Sequence, residues 1–333
     1  MAVDDKPTVL NISQHASFID SYFDDSNDFL RVVEKISMSH IRMNVLYWAT
    51  GTLSLIARDK LAARKNDVYS YVVSCWQPEI GGFSHVPNGE VSLLATLSAI
   101  LVSIIIERFE GIFSDQISKA SDGSWVGDCF GERDTRFTYA AFSILSLLGY
   151  DCVNDTERLK LSVSFVEKCR NNDIDGGFGA VPNAESHSGQ VFCCISSLSI
   201  AHRYFGISQP RDDLLLRQWL AFRQDVKTGG FNGRPQKLVD VCYSWWVISS
   251  LAQLNSLQWI DKAACISFIM SCQDLDKGGF ADRPEDAPDV YHTFFAICGL
   301  SLLGDSSIRC KINPVYCLPD DLLQRHFLHL KSQ

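Results

Sequence analysis

The chain has 333 residues, 46% of them hydrophobic and 21% charged, and a net charge of −9. Such a length buries a substantial core, and the acidic balance excludes general binding along a nucleic-acid backbone, which needs an excess of lysine and arginine. The longest apolar run, from Leu93 to Ile106, contains two serines and a threonine and ends at Glu107, short of the roughly 20 residues a membrane span requires.

Residues 1–14 show no periodic apolar face and read as a leader ahead of a single domain over 15–333. The opening Met-Ala-Val-Asp-Asp lacks the basic stretch and apolar core of a secretory signal. Twelve cysteines without paired spacing, many in apolar stretches such as Cys193-Cys194, predict reduced thiols in a cytoplasmic protein. Helices are expected over 15–22, 29–36 and 39–58. Asp24-Asp25-Ser26-Asn27-Asp28 matches the D-D-x-x-D pattern with which isoprenoid synthases hold magnesium diphosphate. It has no second copy and stands outside the repeats that follow, so it reads as a short motif out of context.

From there the sequence repeats itself. Phe83, Phe178, Phe231 and Phe280 each follow a Gly-Gly pair, and Trp125 follows Asp-Gly-Ser. Their separations of 42, 53, 53 and 49 residues call for a helical repeat array. Each complete unit places one helix before the turn, ending near a Cys-Gln or its equivalent, and one after it. The helices after the turn, near 91–106, 136–149, 188–205, 241–254 and 290–303, are apolar almost all round. Those before it, near 66–76, 157–170, 212–224 and 261–273, alternate apolar and charged faces. All-round apolar helices are buried and two-faced ones lie outside. An all-α fold follows, an α/α barrel of about six hairpins with an inner ring, an outer ring and a central cavity; an open solenoid is the alternative. The second unit, between Glu107 and Asp122, is too short for a full outer helix and predicts a truncated hairpin.

Ionisable groups recur nine to twelve residues after the turn aromatic: Asp134 and Arg136, His187, then Asp240, Cys242 and Tyr243, and finally His292. If the barrel closes, they converge at one rim of the cavity, as groups of a site do. Asp240, Cys242 and His292 then offer oxygen, sulfur and nitrogen donors that suit zinc with one position open. Pro235 keeps Arg234 out of the helical region, so Arg234 and Lys237 precede a helix N-terminus near Asp240, which favours an anion. With His187 and Tyr243 they suit a diphosphate. Trp245, Trp246, Phe294, Phe295, Phe192 and Tyr139 are expected to line the cavity. Asp282, two residues after Phe280, is a candidate for magnesium or a turn-capping aspartate.

Over 39–324 these features resemble the β subunits of protein prenyltransferases. The resemblance rests on the glycine-aromatic repeats, Glu-Ser-His-Ser-Gly-Gln at 185–190, Asn-Gly-Arg-Pro-Gln-Lys at 232–237, Asp-Val-Cys-Tyr-Ser-Trp-Trp at 240–246 and Val-Tyr-His-Thr at 290–293. Trp245-Trp246 and the ending Asn-Pro-Val-Tyr-Cys-Leu-Pro resemble the Rab geranylgeranyltransferase branch. The resemblance implies zinc on Asp240, Cys242 and His292 and geranylgeranyl diphosphate on His187, Arg234, Lys237 and Tyr243, with magnesium at Asp282 in some members. It also implies Leu97, Asn44 and Trp245 in the lipid pocket, Leu97 favouring a twenty-carbon chain. The partners it implies are a helical α subunit and an escort protein presenting a Rab GTPase. The rival expectations are a type I geranylgeranyl or farnesyl enzyme, a terpene cyclase, and a non-catalytic barrel that binds a partner without zinc.

Overall fold

The computed structural model describes residues 9–24, 36–109, 122–151, 153–208 and 213–332. Twelve α-helices lie among them: α1 (Ile12–Asp20), α2 (Arg42–Ile56), α3 (Arg58–Ser74), α4 (Leu93–Ile105), α5 (Thr135–Leu147), α6 (Thr156–Lys168), α7 (Ser188–Arg203), α8 (Leu214–Ala221), α9 (Cys242–Gln253), α10 (Lys262–Ser271), α11 (Val290–Leu303) and α12 (Asp320–Ser332). The inner helices α2, α4, α5, α7, α9 and α11 pack in that order, and α11 returns to α2. The ring is closed, so the barrel reading holds over the open solenoid.

Polarity sorts the two layers. All of α4 except Leu94 is buried, whereas α6 buries only Leu159, Ser162, Phe165 and Val166. That contrast is expected of a helix inside a ring and one with a solvent face. Between them the turn repeats at the level of single bonds. The turn-aromatic carbonyls of Phe83, Phe178, Phe231 and Phe280 accept the amides of Ser92, His187, Asp240 and Asp289, nine residues on. Then Leu93, Thr135, Ser188 and Val241 each donate an amide to the next unit's turn, at the carbonyls of Gly127, Ala180, Gly233 and Asp282, over 2.8 to 3.0 Å. Four successive units are stitched to their neighbours at one level, which holds the inner-helix N-termini in register along the rim.

Outer closure runs through α1. Gly278, at φ +80°, lies so close to α1 that a Cβ there would stand 2.5 Å from the Gln14 carbonyl oxygen, which is why only glycine fits. The Gly279 amide donates to His15 Nδ1 over 2.9 Å. At the other end of the ring, residues 313–318 cross the barrel floor. Tyr47, Tyr139 and Gln253, from α2, α5 and α9, donate to the carbonyls of Cys317, Val315 and Pro314 over 2.7, 2.8 and 3.0 Å.

Some element boundaries differ from the sequence reading. The first helix spans Ile12–Asp20 rather than 15–22. The helix expected over 39–58 ends at Ile56, because Ala57 takes φ −154° and ψ 66°, and the outer helix begins at Arg58 rather than near 66. Nothing in an alanine signals that break. The next residue is tied to the far end of the chain, the Arg58 guanidinium being bonded to both Asp321 oxygens at 2.7 Å. The C-terminal α12 was not anticipated. Residues 1–8 of the leader, nearly all of the helix expected over 29–36, the acidic run after Asp24 and the body of the short second hairpin lie outside the described residues. No helix among the described residues is long and apolar enough to cross a membrane.

Candidate active site

The rim level fixed by the turns carries the candidate residues. Ser92, Asp134, His187 and Asp289 cap α4, α5, α7 and α11 with their side chains, accepting the amides of Ala95, Arg136, Gly189 and His292. Asp240 occupies the same repeat position and accepts the Cys242 amide over 2.8 Å. Two positions further on, one full half-turn into the helix, stand Leu94, Arg136, Gly189, Cys242 and Tyr291, all of which line a single cavity of about 320 Å³. The repeat therefore supplies both a polar collar and an inward-pointing wall.

Asp240, Cys242 and His292 come together with their oxygen, sulfur and nitrogen atoms within 4.8 Å of one another. His292 Nε2 lies 3.5 Å from Asp240 Oδ1. Burial works to raise the Asp240 carboxyl, but hydrogen bonds from His292 and Cys242 outweigh it and leave the group below its usual range. Burial pushes the Cys242 thiol up to about 12, with the Asp240 charge adding to it. His292 is also pushed up to about 12, because its bonds to Asp240, Asp289 and Cys242 overcome the desolvation that favours the neutral ring. The metal-free trio thus holds protons that a metal would displace.

On the other side of the cavity mouth His187 Nε2 meets the Tyr243 hydroxyl at 3.2 Å. Tyr243 reaches it because residue 233 is glycine: a Cβ there would stand 2.5 Å from the phenol oxygen. Burial, and then the Arg234 charge, holds His187 below the ordinary histidine value, while burial pushes Tyr243 up to about 12. Both groups are therefore neutral donors at pH 7. Arg234 pairs with Glu185 over 2.5 Å. Lys237 is exposed, does not line the cavity and makes no ion pair among the described residues. Asp282 contacts the Arg283 guanidinium at 3.2 Å.

Below the rim the cavity is apolar and aromatic. Asn44, Leu97, Tyr139, Phe192, Trp246 and Phe295 line it, with Cys317 from the floor segment, and Ser98 donates to Asn44 Oδ1 over 3.0 Å. Trp245 does not line it, nor does Phe294, and this corrects the expectation for both. A helix advances about 100° per residue, so when Trp246 and Phe295 face the cavity their predecessors turn into the layer behind. Trp245 is fully buried there, beside Phe192 and Phe295, with no hydrogen-bond partner for Nε1 among the described residues.

Sequence reasoning missed Asp289, Tyr291 and Glu185. Asp289 follows Phe280 by nine residues, the offset already used for His187 and Asp240, so the repeat carried that signal. Glu185 opens the quoted 185–190 motif and Tyr291 lies in the 290–293 one, but neither was singled out within its motif.

The prenyltransferase alpha-alpha toroid domain family matches residues 10–318. The geranylgeranyl transferase type-2 subunit beta of Saccharomyces cerevisiae is 40% identical over 323 residues, covering 94% of this chain and 95% of the yeast protein. The type-2 subunit beta 1 of Arabidopsis thaliana is 44% identical over 294 residues, covering 88% and 89%. Among solved structures, Candida albicans protein geranylgeranyltransferase-I complexed with GGPP superposes with a TM-score of 0.78 at 22% identity, over 96% of this chain and 99% of that one. At that identity the likeness speaks for the fold alone.

Proposed function

The chain belongs to the prenyltransferase alpha-alpha toroid family, among relatives that are type-2 geranylgeranyl transferase β subunits, and from that premise we propose a specific activity. It is the catalytic β subunit of a zinc-dependent transferase that moves a twenty-carbon isoprenoid from geranylgeranyl diphosphate to C-terminal cysteines of Rab GTPases, with 15–333 acting as one catalytic domain. The observation that carries the reading is the position of Asp240, Cys242 and His292 at the mouth of an aromatic cavity. A group that activates a thiol would there stand beside a slot for a hydrocarbon.

The donor set fits zinc: one carboxylate, one thiol and one imidazole in reach of a common point leave a fourth position for an acceptor. Zinc, when bound, lowers the pKa of an acceptor thiol that is otherwise near 8.5. The acceptor sulfur then bonds to the allylic carbon as the carbon–oxygen bond to diphosphate breaks, and the thiol proton is lost to solvent. Arg234 leaves Glu185 for the leaving diphosphate, with Lys237 contributing from the same loop. His187 and Tyr243 donate to its oxygens, the kind of preorganised stabilisation that acts where charge grows. The aromatic wall excludes water from the allylic cation and favours it electrostatically. Leu97 and Asn44 bound the lipid slot. Asp282 is the candidate for magnesium accompanying the diphosphate, on condition that Arg283 gives way.

The partners are a helical α subunit and an escort protein that presents the Rab, in the cytoplasm. The test is transfer by the heterodimer to an escorted Rab and to a free cysteine-ending peptide, with the twenty- and fifteen-carbon diphosphates in competition. Transfer of the longer lipid to the escorted Rab alone is expected. Efficient transfer to the free peptide by the lone chain overturns the reading, and a fifteen-carbon preference moves the protein to the farnesyl branch.

A further inference from the structure

Asp289 sits at the repeat position that elsewhere supplies Asp240 and His187, yet it does not reach into the metal trio. One of its oxygens, Oδ1, accepts the His292 amide over 2.8 Å and so caps α11. The other, Oδ2, accepts from His292 Nδ1 over 2.6 Å. A neutral imidazole carries its hydrogen on one nitrogen only. With one hydrogen kept on Nδ1 and directed at a carboxylate, Nε2, which faces Asp240, is the nitrogen left to give up its proton to a metal. The helix cap and the ring orientation are thus set by one side chain through two separate oxygens.

We propose that Asp289 is the positioning residue of the metal centre, holding His292 in the tautomer and rotamer that present Nε2 to the ion. This rests on the metal reading of Asp240, Cys242 and His292. An outer carboxylate that receives the far nitrogen of a ligand histidine typically accounts for about 10- to 100-fold in metal affinity. Asparagine separates the two roles. It can still cap the helix through its single oxygen, but its amide then points a hydrogen at Nδ1, which drives the ring to the opposite tautomer with Nε2 protonated.

Zinc affinity is measured by chelator competition on the full chain expressed with its α subunit, alongside the melting temperature of the metal-free form. Asp289→Asn is expected to lose about 10- to 100-fold in zinc affinity with little change in melting, and the visible spectrum of its cobalt-loaded form should differ from that of the parent. Ser92→Ala removes the equivalent cap in a unit without a metal ligand. It should lower the melting temperature and leave zinc affinity unchanged. Zinc binding by Asp289→Asn equal to the parent, or an equal loss in Ser92→Ala, overturns the role of Asp289 while the metal site stands. Failure of the parent itself to bind zinc overturns both.

Discussion

At the scale of single residues, the proposed reaction divides the rim into groups assigned to the thiol and groups assigned to the leaving diphosphate. Arg234→Ala is expected to slow transfer by roughly 10²–10³-fold, the scale found for losing one preorganised charge stabiliser, without releasing zinc. Lys237→Ala should have a smaller effect, because Lys237 is exposed whereas the half-buried Arg234 lies close enough for its charge to act on both His187 and Tyr243. Unchanged lipid affinity and rate in the double variant, assayed as the heterodimer, would reject the diphosphate role. Beside the Ser92 cap, His85 is held at about 4 by burial, with His40 adding repulsion, and its Nδ1 has no hydrogen-bond partner among the described residues. Because the folded value lies below the unfolded value of about 6.5, the unfolded chain takes up this proton first. Its contribution is intact above pH 6.5 and is lost as pH falls toward 4. His15, His187 and His326 are shifted the same way by burial. Denaturation measured across that window should show stability declining with acidity, and less steeply in His85→Gln; an equal slope in the variant would assign the decline elsewhere.

At the scale of elements, the turns carry a second repeat beneath the glycines. Pro87, Pro182, Pro235 and Pro284 are each followed by a residue at positive φ, namely Asn88, Asn183, Gln236 and Glu285. Proline followed by a left-handed residue is the pattern of a type II turn, and asparagine tolerates it better than glutamate. Glu285→Gly should therefore stabilise the chain by up to about 1 kcal/mol and Asn88→Val should destabilise it by about 1–2 kcal/mol, read from denaturant midpoints. A reversed order of the two would show that other contacts of these turns dominate. The same turns explain what was legible. The aromatic spacing disclosed the units, and helix polarity separated α4 from α6, because a closed ring buries one layer on all sides. The break at Ala57 and the docking of α12 could not be read, since the contacts made there reach far along the chain: Arg58 to Asp321, and His326 to the Leu147 carbonyl. For the site, a window nine to twelve residues after the turn aromatic singled out Asp240, Cys242 and His292. It could not tell Trp245 from Trp246, because adjacent residues share a composition and differ only in the side of the helix they occupy.

At the scale of the whole molecule, ring closure makes the cavity, while the metal trio needs only two adjacent units held level. Asp240 and Cys242 belong to one unit and His292 to the next, and the Val241 amide bonded to the Asp282 carbonyl over 2.8 Å keeps the two units level. The floor segment crosses the opposite end, held by Tyr47, Tyr139 and Gln253. The most direct measurement of this account is the zinc content of the purified heterodimer, determined for the parent chain, Cys242→Ala and His292→Ala with helicity recorded beside it. One zinc per chain in the parent and its loss from both variants, each still helical, is the expected result. Full zinc retention in both variants would contradict the account.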